Sequence, residues 1–144
     1  RTEYPVVERQ DAPLRAFASE LLQETPAQLI DARSPEHYAG TEAAAQDGGV
    51  DTLRHGHIPG AVNVPWGNSV FPNARLKGRD DIAHVYKDFD PAAPTVVYCQ
   101  LGESAAHTWF VLKHVLGFEQ VSLYDGSWAE WGNMVRVPVE RGER

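Results

Sequence analysis

Thr95-Val96-Val97-Tyr98-Cys99-Gln100-Leu101-Gly102-Glu103-Ser104 followed by Ala105-Ala106-His107-Thr108-Trp109-Phe110-Val111-Leu112-Lys113-His114-Val115-Leu116 is the stretch whose reading decides the fold. Thr95 to Tyr98 is a β-branched and aromatic run and reads as a short buried strand. Gln100 to Ser104 reads as a tight loop, and Ala105 to Leu116 as a helix. The only cysteine of the chain, Cys99, stands at the strand's C-terminal end. There it faces the unpaired backbone N–H groups at the start of a helix. Those groups and the helix dipole favour an anion, and so thiolate over thiol. A lone cysteine is in general a small buried hydrophobe. Its place between a strand end and a helix start adds a second reading, that of an activated nucleophile.

Outward from this stretch, other elements follow the same rhythm. Asp11 caps a first helix with Pro13 in its first turn, and Leu14, Phe17, Leu21 and Leu22 recur at helical spacing. Gln28 to Asp31 is a short strand ending in a carboxylate. Ser34 caps a helix that begins at Pro35 and runs through His37 and Tyr38. Gly40 to Arg54 reads as a long exposed loop with Gly48-Gly49 inside it. His57-Ile58-Pro59-Gly60 is a turn, Ala61 to Val64 a strand, and Asp80 to Tyr86 a helix. Val121 to Tyr124 is the last strand, followed by a short helix from Trp128 to Trp131. Strands alternating with helices indicate an α/β fold with a mostly parallel sheet. In such sheets ligands bind beyond the carboxyl ends of the strands, where Asp31 and Cys99 both fall.

Composition narrows the function classes. The chain has 144 residues, enough for one domain with a proper core, and 42% of them are hydrophobic. No apolar run reaches the length of a membrane span, and no signal-peptide pattern is present. One cysteine excludes an internal disulfide and a Cys-rich zinc site, and it suits a reducing cytoplasm. A net charge of −7 argues against a general nucleic-acid binder. It also means that an anion site needs local positive potential. The chain starts at Arg1 and its only methionine is Met134. A fragment or processed chain is therefore expected, with residues 1–10 as a linker or arm from an upstream domain. Residues 11–139 are then the domain and 140–144 a C-terminal tail.

Four ordered motifs resemble the rhodanese (sulfurtransferase) family: Asp31-Ala32-Arg33-Ser34, Gly56-His57-Ile58-Pro59-Gly60-Ala61, Tyr98-Cys99, and Tyr124-Asp125-Gly126-Ser127-Trp128. The last motif, with Glu130-Trp131, is similar to the C-terminal catalytic half of two-domain thiosulfate and mercaptopyruvate sulfurtransferases. Tyr4-Pro5-Val6-Val7-Glu8 resembles the interdomain linker of bacterial members. The likeness runs from about Tyr4 to Val139, a typical domain length. It implies a three-layer rhodanese-like α/β fold with a mostly parallel central sheet flanked by helices. It further implies that Cys99 takes a sulfane sulfur from a donor such as thiosulfate, becomes a persulfide, and passes the sulfur to cyanide or a thiol. The loop from Cys99 to Ser104 has the six-residue length of the sulfurtransferases. The seven-residue loop of the related phosphatases ends in arginine, and Ala105 stands there instead. Loop N–H groups of Gln100, Leu101, Gly102, Glu103 and Ser104 suit the negative outer sulfur of a persulfide without a charged side chain. No metal or organic cofactor is expected.

The chain also departs from the family pattern. The last loop position, often Arg or Thr, is Ser104, where close bacterial relatives read Gly-Glu-Arg. The position two after the cysteine, a cation in some thiosulfate-using members, is Leu101. The position four after Arg33, an arginine in some members, is His37. With Glu103 in the loop, a dianionic donor meets like charge, so weak thiosulfate use with a high KM is expected. Arg33, His37 below its ordinary pKa of about 6.5, or an upstream domain are the candidate substitutes for the missing cation.

Asp31 and Arg33 read first as a structural ion pair or loop anchor, and second as a substrate pair. With His37 and Trp128 they form the candidate pocket. His57 reads as a turn-stabilising residue. His107 and His114 share a helix face but lack a third ligand at metal spacing. Trp66, Trp109, Trp128 and Trp131 read as core or pocket wall, with Trp128 at the mouth of the site. Glu103 is a solvated loop residue or an element repelling anions. Three functions compete: a catalytic sulfurtransferase, a non-catalytic rhodanese binding module, and a persulfide carrier fed by a protein partner. Retention of the cysteine favours catalysis, and the missing loop cations favour the carrier.

Overall fold

The computed structural model describes residues 3–8, 10–43 and 50–142. Five strands form one sheet: β1 (Arg15–Ala16), β2 (Gln28–Asp31), β3 (Val62–Asn63), β4 (Thr95–Tyr98) and β5 (Val121–Tyr124). Their order is β1-β5-β4-β2-β3, and every paired strand runs parallel to its neighbour. Between them lie α1 (Ala18–Gln23), α2 (Pro35–Ala39), α3 (Arg79–Val85), α4 (Glu103–Phe110) and α5 (Ser127–Trp131).

Side-chain alternation along the central strands sorts the core into two layers. Leu29, Val96 and Tyr98 face one side, with Ala18 and Leu21 of α1, Tyr38 of α2, and Trp128 and Trp131 of α5. Ile30, Val97 and Cys99 face the other, with Ile82 of α3, Ala105 of α4, and Val111 and Leu112 beyond it. Strand β4 is buried throughout, as a central parallel strand covered on both faces must be. The expected three-layer α/β architecture is what forms. Among the described residues no helix is long and apolar enough to cross a membrane.

Element boundaries differ from the sequence reading at several places. Asp11 does not open a long helix: its carbonyl accepts from the N–H groups of Leu14 and Arg15 in a turn. The chain then enters β1, whose Arg15 pairs with Leu123, before α1 starts. Leu14 and Phe17 are 46% exposed, so their helical spacing did not mark a core stripe. The strand over 61–64 shortens to Val62–Asn63, and the helix over 105–116 begins two residues earlier and continues as a π-helical turn over Val111–Leu116. Ser34 does cap α2, its hydroxyl accepting from His37 N–H at 3.2 Å. The loop over 40–54 is not uniformly exposed, since Gly40 and Thr52 are buried; residues 44–49, with Gly48-Gly49, lie outside the described residues. Glu140 exchanges backbone bonds with His57, and Gly142 N–H donates to Ala39, so 140–142 is hydrogen-bonded to the domain.

Candidate active site

Cys99 leaves β4 on the α4 side and is 2% exposed. Its Sγ accepts the Gly102 N–H at 3.0 Å. The loop curls back because Gly102 has φ = +104°, and an added Cβ there would lie 2.6 Å from Asp125 Oδ1. Glycine is required on both counts. The N–H groups of Gln100, Leu101, Glu103, Ser104 and Ala105 donate to no acceptor among the described residues, and Ala106 N–H is the first to close a helical bond, to Gly102. Together they leave a set of unpaired donors in the loop after Cys99 and the first turn of α4. Such a nest holds an anion by backbone dipoles alone.

The start of α5 fixes the other side of Cys99. Ser127 Oγ accepts the Cys99 N–H at 3.1 Å and donates to Tyr124 O at 2.9 Å. Trp128 N–H donates to Cys99 O, and Ala129 N–H to Gln100 O. Ser127 is fully buried and holds φ = +53°, a costly conformation for a residue with a Cβ.

On the opposite face, Arg33 grips Asp31. Nε lies 3.0 and 3.1 Å from the two carboxylate oxygens, and Nη2 lies 2.6 Å from Oδ2. Nη2 also donates to Gly56 O at 2.7 Å. The guanidinium stacks on Trp128, 4.7 Å from the ring centre, and lies 5.7 Å from that of Tyr98. Burial works to lower the Arg33 pKa, but Asp31 and Tyr98 together outweigh it and the net shift is upward. Burial and the Asp31 charge hold the Tyr98 phenol well above its usual range. Asp31 and Arg33 thus form a buried ion pair.

Arg33, His37, Trp128 and Gln100 do meet, around a pocket of about 10 Å³ that Glu42, Thr52 and His55 complete. The lining omits Cys99, so the candidate site is two neighbouring halves joined through Gln100. Leu101, 43% exposed, is neutral and the exposed Glu103 is acidic, so neither adds a positive charge to the cradle. His57 is buried, donates from Nδ1–H to Tyr38 O (2.8 Å), and stacks on Tyr38, holding the turn. Among the described residues no cluster of His, Cys, Asp and Glu is placed to hold a metal. Trp66 is 41% exposed rather than core; it sits edge-on to His107, whose Nε2 lies 2.7 Å from Ser69 Oγ. Sequence reasoning missed Thr52, Arg54, His55 and Ser127. Ser127 lay within a quoted motif, whereas the others carried no local signal.

Residues 15–134 match the Rhodanese-like domain family. The chain belongs to that family. This rhodanese domain is 51% identical over 145 residues to a thiosulfate sulfurtransferase of Corynebacterium glutamicum, covering 97% of this chain and 48% of that protein. It is 40% identical over 146 residues to the sulfur carrier protein TtuD of Thermus thermophilus, covering 92% and 50%. The chain thus spans about half the length of these relatives. Among solved structures, a persulfide-bearing EanB variant with ergothioneine superposes with a TM-score of 0.77 at 26% identity, covering 92% of this chain and 33% of that one. Tum1 of Saccharomyces cerevisiae superposes at 0.68 with 28% identity, covering 84% and 44%.

Proposed function

We propose that this rhodanese domain is a sulfurtransferase that moves sulfane sulfur through a persulfide on Cys99. The observation that carries the reading is the backbone cradle: Sγ 3.0 Å from Gly102 N–H, with five further N–H groups of residues 100–105 lacking an acceptor among the described residues. In the first step the Cys99 thiolate attacks the outer sulfur of thiosulfate. An Sγ–S bond forms, the S–S bond of thiosulfate breaks, and sulfite leaves with its electron pair. The outer sulfur of the persulfide then carries the negative charge that the unpaired N–H groups stabilise. In the second step cyanide or a thiolate attacks that sulfur. With cyanide, thiocyanate leaves and Cys99 returns as thiolate. No metal or organic cofactor enters either step. A relative named thiosulfate sulfurtransferase supports thiosulfate as donor; 3-mercaptopyruvate is the alternative donor. A cytoplasmic setting would keep Cys99 reduced between turnovers. An upstream rhodanese domain is the expected covalent neighbour, and neither nucleic acid nor membrane is an expected partner.

A second reading is a persulfide carrier for a protein partner. It draws on the charge pattern and on the relative named sulfur carrier protein. Arg33 is already committed to Asp31 and Gly56 O, Glu42 lines the same pocket, and Glu103 is an exposed residue of the loop after Cys99. The test is thiocyanate formation from each donor and cyanide, with Cys99→Ser as control. Turnover in the wild type alone supports catalysis, with a thiosulfate KM well above the low-micromolar range. Loading from a protein persulfide with no small-donor turnover supports the carrier.

A further inference from the structure

An ion pair beside the cradle takes no part in the chemistry above. Asp125 follows β5, and its carboxylate lies against the Gly102 turn: a Cβ added to Gly102 would stand 2.6 Å from Asp125 Oδ1. Gly102 in turn donates its N–H to Cys99 Sγ at 3.0 Å. Covalent geometry links these two distances and puts Oδ1 within about 9 Å of the sulfur. The other carboxylate oxygen, Oδ2, accepts from Arg15 Nη2 at 3.1 Å. Arg15 reaches this position because β1 pairs with β5, and its guanidinium sits over the Phe17 ring, 5.5 Å from the centre.

The surroundings give that cation its weight. Glu103 is an exposed carboxylate of the loop after Cys99, and Glu130 packs against Gly126, the residue after Asp125. Arg33 lies on the opposite face, bound to Asp31. Any donor must bring its sulfur to Sγ, so the charge it carries comes within reach of Asp125. A dianion facing one bare carboxylate at about 9 Å is disfavoured roughly three- to fivefold in water-like surroundings at low salt. A guanidinium on that carboxylate cancels the effect.

We propose that Arg15 is a specificity-determining residue for anionic sulfur donors: by neutralising Asp125 beside the Gly102 turn, it lets a dianion such as thiosulfate come up to Cys99. The proposal rests on the sulfur-transfer reading and names the charge class of donor that the site tolerates. Arg15→Gln leaves Asp125 bare, Asp125→Asn removes the charge and keeps the shape, and the double variant carries neither charge. At about 10 mM ionic strength, kcat/KM for thiosulfate is expected to fall about three- to fivefold in Arg15→Gln and to return to within about twofold of wild type in the double variant. The loss fades at about 0.5 M salt, because the two side chains are 33% and 52% exposed. A purely structural pair is broken alike in all three variants. A double variant as impaired as Arg15→Gln, or a loss that salt does not reduce, would overturn the proposal.

Alkylation of Cys99 separates this question from sulfur transfer. Iodoacetate and iodoacetamide react with the same thiolate and differ by one charge, so the ratio of their rates depends on neither turnover nor the amount of thiolate. At low salt the ratio is expected to fall about twofold in Arg15→Gln and to recover in the double variant. That result sustains the role of Arg15 even if the wild type forms no thiocyanate, in which case the sulfur-transfer reading alone fails. An unchanged ratio in Arg15→Gln overturns the proposal.

Discussion

The cradle around Cys99 and the pocket around Arg33 lie at the same end of the sheet and are made of opposite materials. The cradle is backbone: its donors are the N–H groups of residues 100–105, and its shape depends on one glycine. The pocket is side chain: its only arginine is buried, paired with Asp31 and stacked on Trp128. Backbone donors hold a monoanion such as a persulfide without any side chain that must stay charged. A buried arginine already bound to a carboxylate has little charge left for a dianion. The difference teaches that this domain is better built to keep a sulfur than to attract thiosulfate.

The comparison can be broken from either side. Arg33→Met removes one partner of a buried pair and leaves the Asp31 carboxylate uncompensated. A loss of about 3–5 kcal/mol in urea unfolding is expected, because breaking such a pair strands a buried charge. A loss under about 1 kcal/mol would show that the pair is not structural. Gly102→Ala forces a Cβ against Asp125 at φ = +104° and reshapes the cradle. Sulfur loading of Cys99 is expected to slow about 100-fold, the scale of losing one positioned anion donor. Stopped-flow loading with thiosulfate measures it, and an unchanged rate would remove the cradle from the mechanism.

Ser104→Arg sharpens the contrast by adding the cation that the loop lacks. The thiosulfate KM is expected to fall about tenfold, with a steeper dependence on salt, since a partly exposed charge is screened within about 10 Å at 0.1 M. The smallest effect concerns His107, outside both regions. Burial holds its pKa below the ordinary value. The unfolded chain therefore takes up this proton first as pH falls, so stability is intact above about pH 6.5 and declines below it. His107→Gln should flatten that decline slightly in thermal melts taken between pH 7 and 5.

Much of this was legible in the chain. β2, β4 and β5 were read to the residue because a central parallel strand must be apolar on both faces, as Val96 and Val97 are. The capped start of α2 was legible from Ser34-Pro35, and Cys99 from its place after β4. The start of the chain was not. Arg15 and Ala16 pair with β5, more than 100 residues away, and tertiary pairing overrode the helical spacing of Leu14 and Phe17. Arg54 was equally hidden, because its partners are backbone carbonyls of residues 131–137, which carry no side-chain signature. The split between cradle and pocket follows from strand alternation, which sends Tyr98 to one face and Cys99 to the other.

The most direct measurement is the intact mass of the protein after incubation with thiosulfate, alongside Cys99→Ser. The account predicts the gain of one sulfur atom on the wild type alone, removed again by cyanide. A gain on Cys99→Ser, or none on folded wild type with any sulfane donor, small or protein-borne, would contradict it.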